Sequence, residues 1–236
     1  MAAFPDIIIL AGGFGTRLQS VVKDLPKPMA PIAGKPFLDW LISYLSDFDP
    51  NKIILSTGYK HETIEAYFGN RFKNIPIVYS IETEPLGTGG AIKKAFNLVD
   101  TANCLVLNGD TFLHVDHSDF LSFHTSSKSG FTMALKPMLN PSRYGTVEIE
   151  GNSIMRFNEK DPDLTEGLIN TGVYLMSKDF VDYFPEEEKF SFENDFMEIK
   201  TGKIEMKAFI ANDYFIDIGI PEDYKKANDE FPALFN

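Results

Sequence analysis

Residues 7–18 of the chain read Ile7-Ile8-Ile9-Leu10-Ala11-Gly12-Gly13-Phe14-Gly15-Thr16-Arg17-Leu18, an apolar run that ends in a glycine-rich turn. A short continuous apolar run closed by glycine is typical of a strand buried on both faces of a parallel sheet. Ligands of open α/β sheets bind at the carboxyl ends of the strands. This stretch therefore predicts the fold class and also where a ligand would bind.

The first 120 residues alternate strand-like with helix-like segments, which predicts an α/β fold. Its central sheet should be mostly parallel, with helices on both faces. The strand-like segments after the first are 52–57, 77–80 and 104–107, and the helix-like segments are 36–46, 62–68 and 89–99.

The second half is mainly strand-like and should extend the same sheet. Its predicted strands are 131–136, 145–150, 153–158, 172–176 and 204–210, and its predicted helices are 180–184 and 223–228. Because no Pro/Ser-rich linker divides the chain, we expect one domain over 1–236, with halves 1–120 and 121–236.

The composition excludes several classes of protein. A chain of 236 residues with net charge −12 lacks the basic surface that binding to nucleic acids or anionic membranes requires. No segment approaches the roughly 18 apolar residues of a membrane span, and no signal peptide is visible, so a cytoplasmic location is expected. The single cysteine, Cys104, lies in an apolar run and is expected to be a buried thiol.

The glycine-rich turn fits neither common nucleotide-binding motif. A P-loop requires a terminal Gly-Lys-Ser/Thr, and a dinucleotide fingerprint requires a third glycine where this chain has Leu18. Glycines still expose backbone N–H groups to a ligand, and Arg17 adds a forked cation suited to phosphate oxygens. Further along, Pro26 and Pro28 stiffen the backbone around Lys27. The segment predicts a phosphate site.

Further motifs follow the glycine-rich turn over nearly the whole chain. Taken in their order, they make the chain resemble the sugar-1-phosphate nucleotidyltransferases (NDP-sugar pyrophosphorylases). The glycine turn with Arg17 and then Pro26-Lys27-Pro28 resembles the signature of this family. The other matching segments are 82–92, 107–110, Arg143-Tyr144-Gly145, Glu159-Lys160, Asn170-Thr171-Gly172 and 215–224. The resemblance implies a Rossmann-like three-layer α/β/α fold with a mixed, mostly parallel sheet.

The reaction implied by the resemblance is nucleotidyl transfer. A sugar 1-phosphate attacks the α-phosphorus of a nucleoside triphosphate, and pyrophosphate leaves. The attacking phosphate is already ionised, so no protein nucleophile is required, and the sequence offers no convincing Ser-His-Asp or Cys-His set. His114, His117 and His124 crowd one polar segment and are expected to be surface residues. A homodimer is compatible with the family, but the sequence does not indicate an oligomeric state.

The resemblance assigns two sets of binding residues, one to each half of the chain. Arg17 and Lys27 should bind the triphosphate, while Glu159 and Lys160 should bind the sugar and its phosphate. The nucleotide-binding half is expected to use Leu10, Ala11, Gly12, Gly13, Gly15, Thr16, Arg17, Lys27, Glu82, Pro85, Gly87, Thr88, Asn108 and Asp110. The sugar-phosphate-binding half is expected to use Tyr144, Gly145, Glu159, Lys160, Asn170 and Thr171.

Asp110 and Asp217 are the candidate ligands of a divalent cation, Mg²⁺. Each follows an apolar strand, where a short carboxylate can project into a cleft. Mg²⁺ usually takes one or two protein carboxylates and completes its coordination with phosphate and water. The expected catalytic set is thus Arg17, Lys27, Asp110, Lys160 and Asp217.

Base and sugar specificity depend on few contacts, so several substrate pairs stay open. Glu82 or Glu84 could accept hydrogen bonds from guanine, which favours GTP, although either could instead cap the helix that follows. The resemblance implies a manno-configured heptose 1-phosphate as the acceptor. The alternatives are mannose 1-phosphate with GTP, N-acetylmuramate 1-phosphate with UTP, and a non-catalytic sensor of nucleotide sugars.

Overall fold

The computed structural model describes residues 4–13, 18, 22, 25–158 and 160–235. The strands over these residues are β1 (Asp6–Leu10), β2 (Pro31–Ile32), β3 (Lys35–Pro36), β4 (Ile53–Thr57), β5 (Arg71–Phe72), β6 (Ile75–Ile81), β7 (Asn103–Asn108), β8 (Thr111–Leu113), β9 (Phe131–Leu139), β10 (Thr146–Glu150), β11 (Ser153–Asn158), β12 (Glu166–Ser177), β13 (Lys207–Ile210) and β14 (Phe215–Asp217).

The α-helices over the same residues are α1 (Phe37–Leu45), α2 (His61–Phe68), α3 (Gly87–Phe96), α4 (His117–Ser127), α5 (Glu198–Lys200) and α6 (Pro221–Leu234). Short 3₁₀-helices cover Lys27–Met29, Ser46–Phe48 and Lys178–Tyr183. A π-helix covers Phe192–Met197.

The central sheet is mixed and contains strands from both halves of the chain. Its described strands follow the order β10-β11-β13-β9-β12-β7-β1-β4-β6-β5. The four strands β7, β1, β4 and β6 are parallel, as the alternating pattern of the first half predicts. Strand β12 joins the second half to them by pairing antiparallel with β7 on one side and β9 on the other.

Helices cover both faces of this sheet and give the three-layer fold. On β1, Ile7 and Ile9 belong to a core that contains buried residues of α1, α2, α4 and α6. Ile8 points to the other face, where α3 packs beside a phenylalanine-rich segment over residues 180–197. The alternation along one strand supplies both cores, because successive side chains of a strand point to opposite faces.

Most of the predicted segments are present, with three notable differences. Helix α4 was not predicted, because its serines, histidines and aspartates give little apolar periodicity. Strand β12 starts at Glu166, well before the predicted residue 172. The short strands β8 and β14 pair with each other outside the main sheet, and three-residue strands carry too little pattern to be found from sequence.

The prediction that the three histidines lie on the surface is wrong for two of them. His117 and His124 are 1% and 2% exposed, whereas His114 is exposed. His117 packs against the rings of Phe4, Tyr44 and Phe48. The polar residues between the histidines suggested a solvated segment, but α4 turns these two rings into the core. Cys104 is fully buried, as predicted, and burial raises the pKa of its thiol.

Candidate active site

Among the residues that the structure describes, two cavities open at the carboxyl ends of the parallel strands. The first, of about 670 Å³, is lined by the turns after β1, β4, β6 and β7. The second, of about 380 Å³, is lined mainly by residues of the second half. Asn108, Asp110 and Asp217 line both cavities, so the two spaces meet at these side chains.

The predicted nucleotide-binding residues lie mainly around the first cavity, which is lined by Leu10, Gly12, Gly13, Lys27, Glu82, Pro85, Gly87, Thr88, Asn108 and Asp110. Ala11 is not part of this lining: it is buried, and its backbone N–H donates to the carbonyl of Ser56 at 2.7 Å. Gly15, Thr16, Arg17 and Glu159 lie outside the described residues.

The predicted sugar-phosphate residues Tyr144, Gly145, Lys160, Asn170 and Thr171 line the second cavity. Lys27 lines the first cavity and Lys160 the second. The two cations expected to bind different substrates therefore line different cavities.

Pairing of β8 with β14 brings Asp110 and Asp217 together. Asp217 lies opposite Thr111 in this ladder, and the backbone N–H of Ile218 donates to the carbonyl of Asp110 at 3.1 Å. Lys27 lies between the two carboxylates. Its Nζ is 2.6 Å from Oδ2 of Asp110 and 3.2 Å from Oδ1 of Asp217.

The electrostatics of this cluster keep Lys27 charged. Burial lowers the pKa of its ammonium, but the charges of Asp110 and Asp217 and the hydrogen bonds to them outweigh burial and raise the pKa above its ordinary value. The pKa of Asp217 is also raised, by burial and by the charge of Asp110, while Lys27 offsets part of that effect. Two carboxylates this close together favour a cation between them.

Glu82 supports the turn that enters α3. Its Oε2 accepts a hydrogen bond at 3.0 Å from the backbone N–H of Leu86, the residue that precedes α3. Burial raises the pKa of its carboxyl. A Cβ at Gly12 would lie 2.8 Å from Oε1 of Glu82, so glycine is the residue that leaves room for this side chain. Glu84 also lines the cavity and is exposed.

The second cavity has a hydrogen-bonded wall. Asn170 donates through Nδ2 to the hydroxyl of Tyr174 at 2.8 Å and accepts from the backbone N–H of Gly172 at 2.9 Å. Thr171 turns its hydroxyl into the core, where it donates to the carbonyl of Ala134 at 2.7 Å. The Thr171 hydroxyl is therefore engaged in a buried hydrogen bond, and the Thr171 carbonyl accepts from the hydroxyl of Thr111 at 3.3 Å.

Tyr144 also lines the second cavity. Its ring packs edge-on against Phe215, and its hydroxyl accepts from Arg143 at 3.2 Å. Burial and the charge of Asp217 raise the pKa of Tyr144 to about 12, so its hydroxyl keeps its proton at neutral pH. Arg143 is itself held by Asp223 of α6 at 2.6 Å.

Some lining residues were not anticipated from the sequence. Gly58 and Tyr59 line the first cavity, and Glu193 and Asn194 line the second. The first pair was detectable, because it follows the predicted strand 52–57 at its carboxyl end. The second pair lies on a π-helix, which does not follow the 3.6-residue period of an α-helix, although Ser191 does cap it by accepting from the backbone N–H of Asn194.

Comparison with known proteins identifies the family. The Nucleotidyl transferase family matches residues 6–233, so the chain belongs to this family of enzymes. It is 52% identical over 225 residues to D-glycero-alpha-D-manno-heptose 1-phosphate guanylyltransferase of Aneurinibacillus thermoaerophilus, covering 95% of this chain and 97% of that protein. It is 48% identical to the protein of the same name from Campylobacter jejuni, covering 92% of this chain and 96% of that one.

A solved structure supports the same relationship. The crystal structure of HddC from Yersinia pseudotuberculosis complexed with GMP-PN aligns with a TM-score of 0.83 and 41% identity, over 97% of this chain and 100% of that one. Over the described residues, no helix is long and apolar enough to cross a membrane.

Proposed function

We propose that this protein transfers the guanylyl group of GTP to D-glycero-α-D-manno-heptose 1-phosphate. An oxygen of the sugar phosphate forms a bond to the α-phosphorus of GTP. The bond from that phosphorus to the oxygen bridging to the β-phosphate breaks, and pyrophosphate leaves with the electron pair. The products are GDP-heptose and pyrophosphate, and no oxidant or reductant takes part.

The observation that carries this proposal is the meeting of two cavities at one charged cluster. GTP would occupy the larger cavity along the parallel strands, and the sugar phosphate would occupy the smaller one. Both reacting phosphates would then lie beside Asp110, Lys27 and Asp217. Holding two anions in line is the main demand of the reaction, because positioning replaces a bimolecular encounter. The similarity to heptose guanylyltransferases supplies the choice of GTP and heptose.

The position of the Lys27 ammonium between Asp110 and Asp217 supports a divalent cation at this cluster. Over the described residues, no group of three or more His, Cys, Asp or Glu side chains could hold a metal by itself. Asp110 and Asp217 would instead supply two carboxylates, as Mg²⁺ prefers when phosphate oxygens complete its coordination. When bound, the cation would withdraw charge from the phosphate oxygens.

The chain's own residues would offset the remaining charge. Lys27 would move from the carboxylates to the phosphates of GTP, and Lys160 would hold the phosphate of the sugar. The roles of Arg17 on the triphosphate and of Glu159 on the sugar hydroxyls rest on the sequence motifs alone. Charge-assisted hydrogen bonds of this kind are stronger than neutral ones.

A pyrophosphate-release assay tests the proposal. GTP, ATP, UTP and CTP are each assayed with the heptose 1-phosphate, with mannose 1-phosphate and with N-acetylmuramate 1-phosphate. We expect the highest kcat/KM for GTP with the heptose, and no activity in excess EDTA. Equal kcat/KM with UTP and GTP would contradict the base assignment, and faster turnover of mannose 1-phosphate would contradict the sugar assignment.

Two substitutions connect the activity to the cluster. Asp110→Asn and Asp217→Asn should each lower kcat by at least about 10²-fold while the thermal midpoint shows a folded chain. Asp116→Asn is the matched control, since Asp116 caps α4 and lines neither cavity. Wild-type kcat in both cluster variants would remove Asp110 and Asp217 from the mechanism.

A further inference from the structure

One hydrogen bond joins the walls of the two cavities. Thr88, the second residue of α3, lines the first cavity, and Glu193 of the π-helix lines the second. The hydroxyl of Thr88 donates to Oε2 of Glu193 at 2.7 Å. Thr88 and Glu193 are far apart in the sequence, and the nucleotidyl-transfer reaction does not by itself assign a role to either residue.

Hydrogen bonds to Ser191 and Phe192 hold both side chains in place. The hydroxyl of Thr88 also accepts from the backbone N–H of Phe192 at 2.9 Å. The hydroxyl of Ser191 donates to the same Oε2 of Glu193 at 3.2 Å. Over the described residues, both hydrogen bonds to the carboxylate of Glu193 thus end on Oε2, and neither uses Oε1.

The backbone makes this connection rigid. The carbonyl of Phe190 accepts from the N–H groups of Gly89 and Gly90, at 3.0 and 3.3 Å, and the N–H of Phe190 donates to the carbonyl of Leu86 at 3.0 Å. Gly87 has a φ of +73°, and a Cβ there would lie 2.6 Å from the carbonyl oxygen of Phe190. The first turn of α3 and residues 190–193 therefore hold a fixed relative position.

The charge of Glu193 restricts what it can bind. A carboxylate repels a phosphate but accepts hydrogen bonds well from hydroxyl groups. In a cavity that also contains Lys160 and Arg143, the phosphate end of a sugar phosphate is drawn to the cations. The hydroxyl-bearing end is then the part that can approach Glu193.

We propose that Glu193 binds a hydroxyl of the sugar through Oε1, and that Thr88 is a positioning residue that acts through Glu193. The wall that surrounds the nucleotide thereby sets the position of the sugar. This inference rests on the proposed function. It adds Thr88 from the first cavity and Glu193 from the second to the residues that determine specificity for the sugar.

The test separates the Michaelis constants of the two substrates. Thr88→Val removes the hydroxyl at nearly constant volume and should raise KM for the heptose 1-phosphate about tenfold, a larger factor than for GTP, because this hydroxyl bonds to Glu193 and Phe192. Thr88→Ser keeps the hydroxyl and should bring the sugar KM back to within about threefold of wild type. Thr125→Val, the same change on the exposed side of α4, is the matched control.

A double-mutant cycle shows whether Thr88 acts through Glu193. Glu193→Ala should raise the sugar KM about ten- to a hundredfold, the cost of a hydrogen bond to a charged group. Adding Thr88→Val to Glu193→Ala should then raise it little further, because contacting residues are not additive. Independent, multiplicative effects of the two substitutions would overturn the positioning role of Thr88.

Direct binding keeps the inference testable apart from turnover. Calorimetric titration of the heptose 1-phosphate into wild type and Glu193→Ala, each with a non-hydrolysable GTP analogue present, should show the same loss of affinity. Equal affinities would overturn the contact with Glu193 even in an active enzyme. Absence of pyrophosphate release from the wild type with every sugar would instead contradict the proposed function.

Discussion

Lys27 places its ammonium where a divalent cation is proposed to bind. Its side chain is 12% exposed, and the carboxylates of Asp110 and Asp217 are 33% and 27% exposed. A metal ion that enters without nucleotide must displace this ammonium and leave it without a partner of opposite charge. Nucleotide phosphates offer Lys27 new partners, so metal and nucleotide should each strengthen the binding of the other.

Replacing Lys27 by methionine should therefore strengthen the binding of a metal ion alone. In the absence of nucleotide, we expect Lys27→Met to bind Mn²⁺ about tenfold more tightly than wild type, which corresponds to roughly 1.4 kcal/mol. The same variant should bind the GTP analogue about ten- to a hundredfold more weakly. Calorimetry measures both affinities.

Lys35→Met is the matched control for this change. Lys35 forms an ion pair with Asp39 at 2.7 Å on α1 and lines neither cavity. Its loss should leave the affinity for Mn²⁺ unchanged. If Lys27→Met also had the wild-type affinity for Mn²⁺, Lys27 would not compete with the metal.

Among the elements of the fold, β12 connects the sheet to the site. The strand changes register against β9 between Asn170 and Tyr174, next to Asn170 and Thr171 on the second cavity. Gly172 makes this possible with a φ of +74°, and a Cβ there would lie 2.3 Å from Nδ2 of Asn108. Asn108 ends β7 and borders both cavities, so the two strands meet where the substrates are proposed to meet.

Two glycine substitutions separate backbone strain from this close approach. Gly151 has a φ of +58° with no atom within 4 Å of an added Cβ, so Gly151→Ala should cost only the left-handed conformation, about 1–2 kcal/mol. Gly172→Ala must also displace Asn108 and should cost about 2–4 kcal/mol. Urea denaturation measures both values. Equal losses would show that Asn108 moves aside freely.

The stability of the folded chain should depend on pH through its two buried histidines. Burial lowers the pKa of His117 to about 3 and that of His124 to about 4. Asp116 raises the pKa of His117 and His114 lowers it, but both effects are smaller than that of burial. Below pH 6.5 the unfolded chain takes up protons that the folded chain does not. The contribution of each histidine is thus complete above pH 6.5 and is lost as the pH falls.

His117→Phe should weaken this dependence on pH. Neither ring nitrogen of His117 has a hydrogen-bond partner among the described residues, and aromatic rings surround it, so phenylalanine should be tolerated at pH 7. Between pH 7 and pH 5 the wild type should lose about 2 kcal/mol through His117, and the variant should not. Urea denaturation at both pH values measures the difference, with the exposed His114→Asn as control. The same loss in His117→Phe as in wild type would contradict the assignment.

Local patterns in the sequence were sufficient for the α/β class, the parallel strands β1, β4, β6 and β7, and the glycine-rich turn at their carboxyl ends. These features depend on residues close together in the chain: a run of apolar side chains, a glycine that ends it, and helical spacing in the segment that follows. The order of the motifs also indicated the family, and the family match over residues 6–233 confirms that prediction.

The contacts between distant segments could be found only in the folded chain. Asp110 and Asp217 meet around Lys27 because β8 pairs with β14, Glu193 reaches Thr88 because the π-helix packs on α3, and α4 buries His117. Each contact joins residues whose separation in space is set by strand order and packing. Periodicity describes which face of an element is apolar, but it does not state which other element will cover that face.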